Sequence, residues 1–258
     1  MPIQIKTGKN GWTQAKASFK INKQFYFQEA LGLAVFMASA CFFSAILFSV
    51  KSEWYYMIPA SLKDMVMGVL MGATALFIFY SPLTAASGSQ INPAVTLVFF
   101  RLGKMCRWDT LFYIIFQFAG GTIAVYLMQF LMGDILINPP VNSAVTVPGT
   151  RGLVPALAVE LVIAFITMSM VLFTSASERL KKYTRVMAAC LVCCWVIVAG
   201  PVSGFGMNPA RTFASALPSR IWIGWWIYFA APVAGMLCAA EFFLWYQRFR
   251  ISPKKLLV

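Results

Sequence analysis

Six stretches of this chain are too apolar and too long to sit inside a water-soluble domain. A hydrocarbon layer about 30 Å thick asks for roughly 20 residues of apolar helix. Residues 25–50 carry a single acid, residues 65–81 and 110–133 carry no charge, and residues 152–177 carry one acid. Residues 186–200 are shorter but uncharged, and residues 221–247 hold one acid. The pattern predicts an all-α membrane protein with six spanning helices. Hydrophobic residues make up 60% of the chain and charged residues only 11%, in keeping with a membrane protein.

The formal charge of +13 is placed for a membrane rather than for a nucleic acid. Five lysines precede residue 25; Arg101, Lys104 and Arg107 follow the second stretch; Arg179, Lys181, Lys182 and Arg185 follow the fourth. Arg248, Arg250, Lys254 and Lys255 close the chain. Threading six spans puts 16 of the 21 basic residues on one side, the asymmetry expected of cytoplasmic loops. Both termini are therefore expected in the cytoplasm of a multi-pass protein of the inner or plasma membrane, their basic groups facing anionic lipid. No contiguous basic patch interleaved with aromatics exists to hold nucleic acid. The first apolar stretch has full span length and is read as a retained helix, not a cleaved signal.

Chemistry-bearing residues are sparse. There is no histidine, and the six cysteines show no metal spacing, so they are read as reduced, small apolar side chains. Neither a cofactor, a metal nor an enzymatic nucleophile–base pair is expected.

The chain repeats itself. Residues 87–98 read SGSQINPAVTLV and residues 203–214 read SGFGMNPARTFA, with Asn92 and Asn208 116 positions apart. Each copy lies downstream of one intraspan glutamate, Glu29 or Glu160. Each half thus holds three spans and one Asn-Pro-Ala segment, 25–135 and 153–247, between a basic tail at 1–24, an extracellular loop at 136–152 and a second basic tail at 248–258. An odd number of spans per half inverts the second half relative to the first. The segments 92–101 and 208–217 have about nine residues of helix-compatible sequence, ~14 Å at 1.5 Å per residue, or half a bilayer. Two such half-helices entering from opposite faces meet near the midplane. Asparagine is among the best N-caps and proline is favoured at the first helical position. Asn92-Pro93-Ala94 and Asn208-Pro209-Ala210 therefore read as two helix starts with positive dipole ends aimed at the centre.

These residues resemble those of the aquaporin and aquaglyceroporin family, the major intrinsic proteins, over essentially the whole chain. The resemblance rests on the two Asn-Pro-Ala segments, on Arg211 after the second, and on Glu29, Glu160 and Gln117. It implies six helices with two re-entrant half-helices, a homotetramer with a pore in each subunit, and passage of water and small neutral solutes while ions and protons are excluded. By the same resemblance the carbonyls of Gly88, Ser89, Gln90 and Ile91 and of Gly204, Phe205 and Gly206 line the half-pores, and the glutamates tie the loop N–H groups.

An arginine at membrane depth costs about 2.5–3.5 kcal/mol or more and has to face water or a partner. Family spacing puts Arg211 in the narrowest ring with Phe205, Val196 and Gly72, or with Met71 in place of Gly72 if the loop at 82–87 is one residue longer than the family's. Phe205 and the absence of a histidine at Val196 favour a wider filter of glycerol-facilitator type. Thr212, Ala216 and the short loop near 133–151 favour the water-channel branch. Gly68 and Gly72 also form a close-packing motif between helices. The expected function is a water channel that also passes small neutral solutes, with a glycerol facilitator as the alternative. A secondary transporter of a small solute is the alternative from another class, because inverted repeats and broken helices suit it as well.

Overall fold

The computed structural model describes residues 11–251, with side chains to residue 249. Lys6 and Lys9 of the first basic tail, and Lys254 and Lys255 of the second, lie outside the described residues. Ten α-helices run α1 Gly11–Phe48, α2 Glu53–Met57, α3 Ala60–Tyr80, α4 Pro93–Arg101, α5 Arg107–Met132, α6 Asp134–Ile137, α7 Leu153–Ser175, α8 Thr184–Ser203, α9 Pro209–Ser219 and α10 Ile227–Ile251. Six of them, α1, α3, α5, α7, α8 and α10, are long and apolar enough to cross a membrane. The two half-length helices, α4 and α9, start at the repeated Asn-Pro-Ala.

Packing repeats with the sequence. Helix α1 lies along α5, and its counterpart α7 lies along α10, while α3 and α8 meet at the seam between the halves. The half-helices cross over: α4 packs on α10 and α9 on α5, which locks each half into the other. Two glycines permit the closest of these contacts. A Cβ on Gly120 would stand 2.2 Å from the Ala30 carbonyl oxygen, and one on Gly235 would stand 2.4 Å from that of Leu161. Ala30 and Leu161 directly follow Glu29 and Glu160, so the same backbone-to-backbone approach sets both carboxylates. Large apolar side chains such as Phe130, Val154 and Ile123 point outward, whereas the buried set includes Glu29, Gln117, Glu160 and Thr212. A polar interior within an apolar exterior is what a hydrocarbon solvent selects.

Two departures from expectation share one cause. Helix α1 already covers Gly11, the first described residue, inside the segment read as a basic tail, and α5 begins at Arg107, which draws Asp109 into a span read as uncharged. Asp109 is 1% exposed. Ser18 Oγ and Tyr26 Oη each donate to it at 2.5 Å, Asn22 Nδ2 at 3.1 Å and Cys106 Sγ at 3.1 Å. Ser18, Asn22 and Tyr26 stand four residues apart on one face of α1, so continuing the helix toward the N-terminus presents three donors to one carboxylate. Asp109 also sits in the first turn of α5, where the macrodipole favours an anion. Asp109→Ala removes the acceptor these donors share, although Tyr26 Oη keeps the Ser18 carbonyl at 3.1 Å, and is expected to destabilise the fold by about 2–3 kcal/mol. The midpoint of thermal unfolding in detergent measures this; an unchanged midpoint would show that the cluster contributes nothing.

Candidate functional site

The centre of the molecule is built from two copies of one hydrogen-bond scheme. Asn92 caps α4 by accepting from Ala94 N at 2.9 Å, and Asn208 caps α9 by accepting from Ala210 N at 3.0 Å. Each amide then donates across the interface between the halves: Asn92 Nδ2 to Met207 O and Asn208 Nδ2 to Ile91 O, both at 2.7 Å. One hydrogen of each ties the opposite loop, and the second remains.

The loops feeding these caps take left-handed backbone at matching places. Gly88, Ser89 and Ile91 have φ of 99°, 47° and 43°, and Gly204, Phe205 and Met207 have φ of 76°, 49° and 47°. Such a chain cannot form regular hydrogen bonds, so its N–H groups need other acceptors at depth. Glu29 supplies them in the first half: it accepts from Gln90 N at 2.9 Å, Ile91 N at 2.5 Å, Ser87 Oγ at 2.6 Å and Gln117 Nε2 at 2.8 Å. Glu160 does the same in the second, accepting from Gly206 N at 2.9 Å, Met207 N at 2.5 Å and Ser203 Oγ at 2.6 Å. Both glutamates are fully buried. Spending both carboxylates on backbone strain is a structural use of charge.

Two tyrosines complete the scheme and were not singled out from the sequence. Tyr113 Oη donates to Ser87 O at 2.9 Å and Tyr228 Oη to Ser203 O at 2.6 Å. The signal was present, because each stands seven residues before the close-packing glycine of its helix, Gly120 or Gly235. The ring of Tyr228 also fills the space beside Gly206, where a Cβ would lie 2.3 Å from it.

Beside this centre lies a cavity of about 230 Å³. Its walls hold Arg211, Phe205, Val196 and Met71 together, joined by Gly204 and, from α1, Phe36 and Ala40. Asp64 and Met67 of α3 and the loop residues Pro140, Val141, Ala144 and Val145 complete its mouth. Of the two candidates for the fourth ring position, the cavity takes Met71. Gly72 faces the seam instead: a Cβ there would stand 2.8 Å from Cys193 Cβ and 3.1 Å from Ala189 O, and one on Gly68 would stand 2.6 Å from Ile197. The pair Gly68 and Gly72 is the close-packing stripe between α3 and α8, the second of the two readings the sequence offered for Gly72. Among the described residues Arg211 Nη1 is buried with no hydrogen-bond partner, while the residue as a whole is half-buried and lines the cavity.

The first-half loop is disposed differently. Ser89, Gln90 and Ile91 are buried while Gly88 is exposed, and Gln90 Nε2 donates to Met105 Sδ at 3.3 Å. Pro93, Ala94, Pro209 and Ala210 lie in the first turns of α4 and α9 and are buried. Glu241, which suggested no role, forms an ion pair with Arg101 at 2.6 Å and joins the end of α4 to α10. Both side chains are about half exposed, so this pair adds at most about 1 kcal/mol.

Comparisons with known proteins bear on the fold and the family. The solved aquaglyceroporin of Plasmodium falciparum superposes with a TM-score of 0.72 over 86% of this chain and 95% of that one, at 19% identity. Aquaporin NIP2-3 of Zea mays is 35% identical over 65% of this chain and 54% of its own length. Aquaporin NIP1-2 of Arabidopsis thaliana is 30% identical over 67% of this chain and 59% of its own. The match thus spans little more than half the length of these relatives. A sequence profile described as major intrinsic protein matches residues 17–243. The chain belongs to the major intrinsic protein family.

Proposed function

We propose that the protein is a passive channel for water and small neutral solutes, with no enzymatic role, and that its selectivity ring is Met71, Val196, Phe205 and Arg211. The observation that carries this reading is the cavity that brings the Arg211 guanidinium together with Met71, Val196 and Phe205, with Ser44 and Asp64 also in its lining. A buried donor without a protein acceptor is satisfied by water or by a solute oxygen. The walls opposite it are thioether, isopropyl and phenyl groups, which neither trap a solute nor demand one geometry of it.

The loop carbonyls of Gly88–Ile91 and Gly204–Gly206 are then the acceptors along each half of the path, supported by the left-handed backbone that turns successive peptides. Arg211, with the α4 and α9 N-termini aimed at one point, supplies the positive potential that excludes cations and protons. The engagement of Glu29 and Glu160 with loop backbone argues against proton-coupled transport, which needs a carboxylate free to titrate. Both termini are placed in the cytoplasm on the basic-residue asymmetry, and assembly as a homotetramer of the plasma or inner membrane is part of the same proposal.

Two substitutions at neighbouring positions test the ring. Met71→Ala removes a wall of the cavity and is expected to raise glycerol permeability of proteoliposomes about tenfold, the equivalent of about 1.4 kcal/mol of barrier. Gly72→Ala drives a methyl into Cys193 and is expected to lower the unfolding midpoint without a gain in glycerol passage. A glycerol gain from Gly72→Ala alone would return that glycine to the ring. Val196→His adds a donor and bulk opposite Arg211, and is expected to reduce glycerol passage about tenfold while water passage stays within about twofold.

A further inference from the structure

A groove opens away from the channel, between the end of α7 and the last turns of α10. It encloses about 700 Å³. We infer that it binds an anionic glycerophospholipid, with the phosphate on Arg179 and an acyl chain along Phe173 and Phe243.

The groove has an apolar floor and a polar rim. Phe173 meets Phe243 edge to face at 5.2 Å and Tyr246 at 5.2 Å, forming a rigid aromatic floor. Ser177, Glu178, Arg179 and Gln247 stand at the rim. A second observation fixes its depth. Phe242, Trp245 and Phe249 are 44%, 54% and 63% exposed beside it, with Trp245 contacting both neighbours at 5.9 Å and 4.7 Å. Exposed aromatic clusters of this kind sit at head-group level. The rim of the groove therefore lies where phosphates are, and its floor where acyl chains begin.

Charge selects the head group. Glu178 is occupied by Lys181 at 2.6 Å, and among the described residues Arg179 has no carboxylate within ion-pair distance. Lys182 and Arg185 are held over the rings of Tyr183 and Tyr80, so the neighbourhood keeps a positive excess. A guanidinium matches a phosphodiester in two parallel hydrogen bonds. A soluble phosphate would use the rim and leave the aromatic floor uncovered, whereas a phospholipid uses both.

Native mass spectrometry of the detergent-purified full chain, titrated with phosphatidylglycerol or phosphatidylcholine, tests this. Wild-type protein is expected to retain phosphatidylglycerol at about fivefold lower concentration, as one basic group at a membrane surface provides. Arg179→Ala is expected to abolish that preference with oligomer mass and water permeability unchanged, and Arg179→Lys to restore part of it. Phe243→Ala is expected to weaken retention of both lipids. Three results would overturn the inference: an unchanged preference in Arg179→Ala, displacement of the lipid by glycerophosphate as effectively as by the lipid itself, or cross-linking of Gln247→Cys to a second copy, which would show the groove covered by protein.

Discussion

Glu160→Leu is expected to reduce water permeation to that of protein-free liposomes and to destabilise the fold by about 2–6 kcal/mol, the cost of stranding two buried backbone N–H donors. Glu160 accepts from Gly206 N, Met207 N and Ser203 Oγ at once. A leucine fits the space but accepts nothing, and each stranded donor costs about 1–3 kcal/mol. The left-handed residues Phe205 and Met207 lose the bonds that hold them there, and with them goes Met207 O as the acceptor of Asn92. The damage therefore crosses to the other half. Glu160→Gln separates this from simple loss of bulk. An amide keeps one acceptor oxygen and points a donor at backbone N–H groups, so an intermediate loss is expected. Stopped-flow light scattering with thermal unfolding checks both; wild-type permeability in Glu160→Leu would show that the carboxylate does not support the loop.

Arg211→Val is expected to let cations and protons through while water continues to pass. A unit charge about 4 Å from a passing cation repels it by roughly 4 kcal/mol at an effective dielectric of 20. Even one third of that barrier is about tenfold in rate. The half-helix N-termini add about half a charge each and are left in place, so exclusion is expected to weaken rather than vanish. Dye-reported proton leak and planar-bilayer conductance should rise at least about tenfold. A variant as tight as wild type would assign ion exclusion to the half-helices alone.

What the sequence discloses depends on how far apart the cooperating residues stand. The apolar stretches, the repeated Asn-Pro-Ala and the paired glutamates are local patterns, and the repetition makes each copy evidence for the other. Met71 and Gly72 differ by one residue, or 100° of helix rotation, which only the packing of α3 against α8 resolves. Asp109 is illegible for a related reason: its donors come from α1, and a hydropathy count treats Ser18, Asn22 and Asp109 as marks of a solvated end. Tyr113 and Tyr228 repeat as faithfully as the glutamates, but an aromatic in an apolar helix draws no notice until its hydroxyl is seen on a loop carbonyl. The cavity mouth at residues 140–145 lies in a loop whose course no periodicity predicts.

The central claim is that the cavity beside Arg211 is a conducting path for water and small neutral solutes. Proteoliposomes carrying the purified chain, mixed rapidly with an impermeant osmolyte and then with glycerol, test it directly. The account predicts shrinkage well above the rate of empty liposomes, followed by glycerol-driven reswelling that Met71→Ala accelerates. Shrinkage no faster than empty liposomes, from protein that retains its thermal transition, would contradict it.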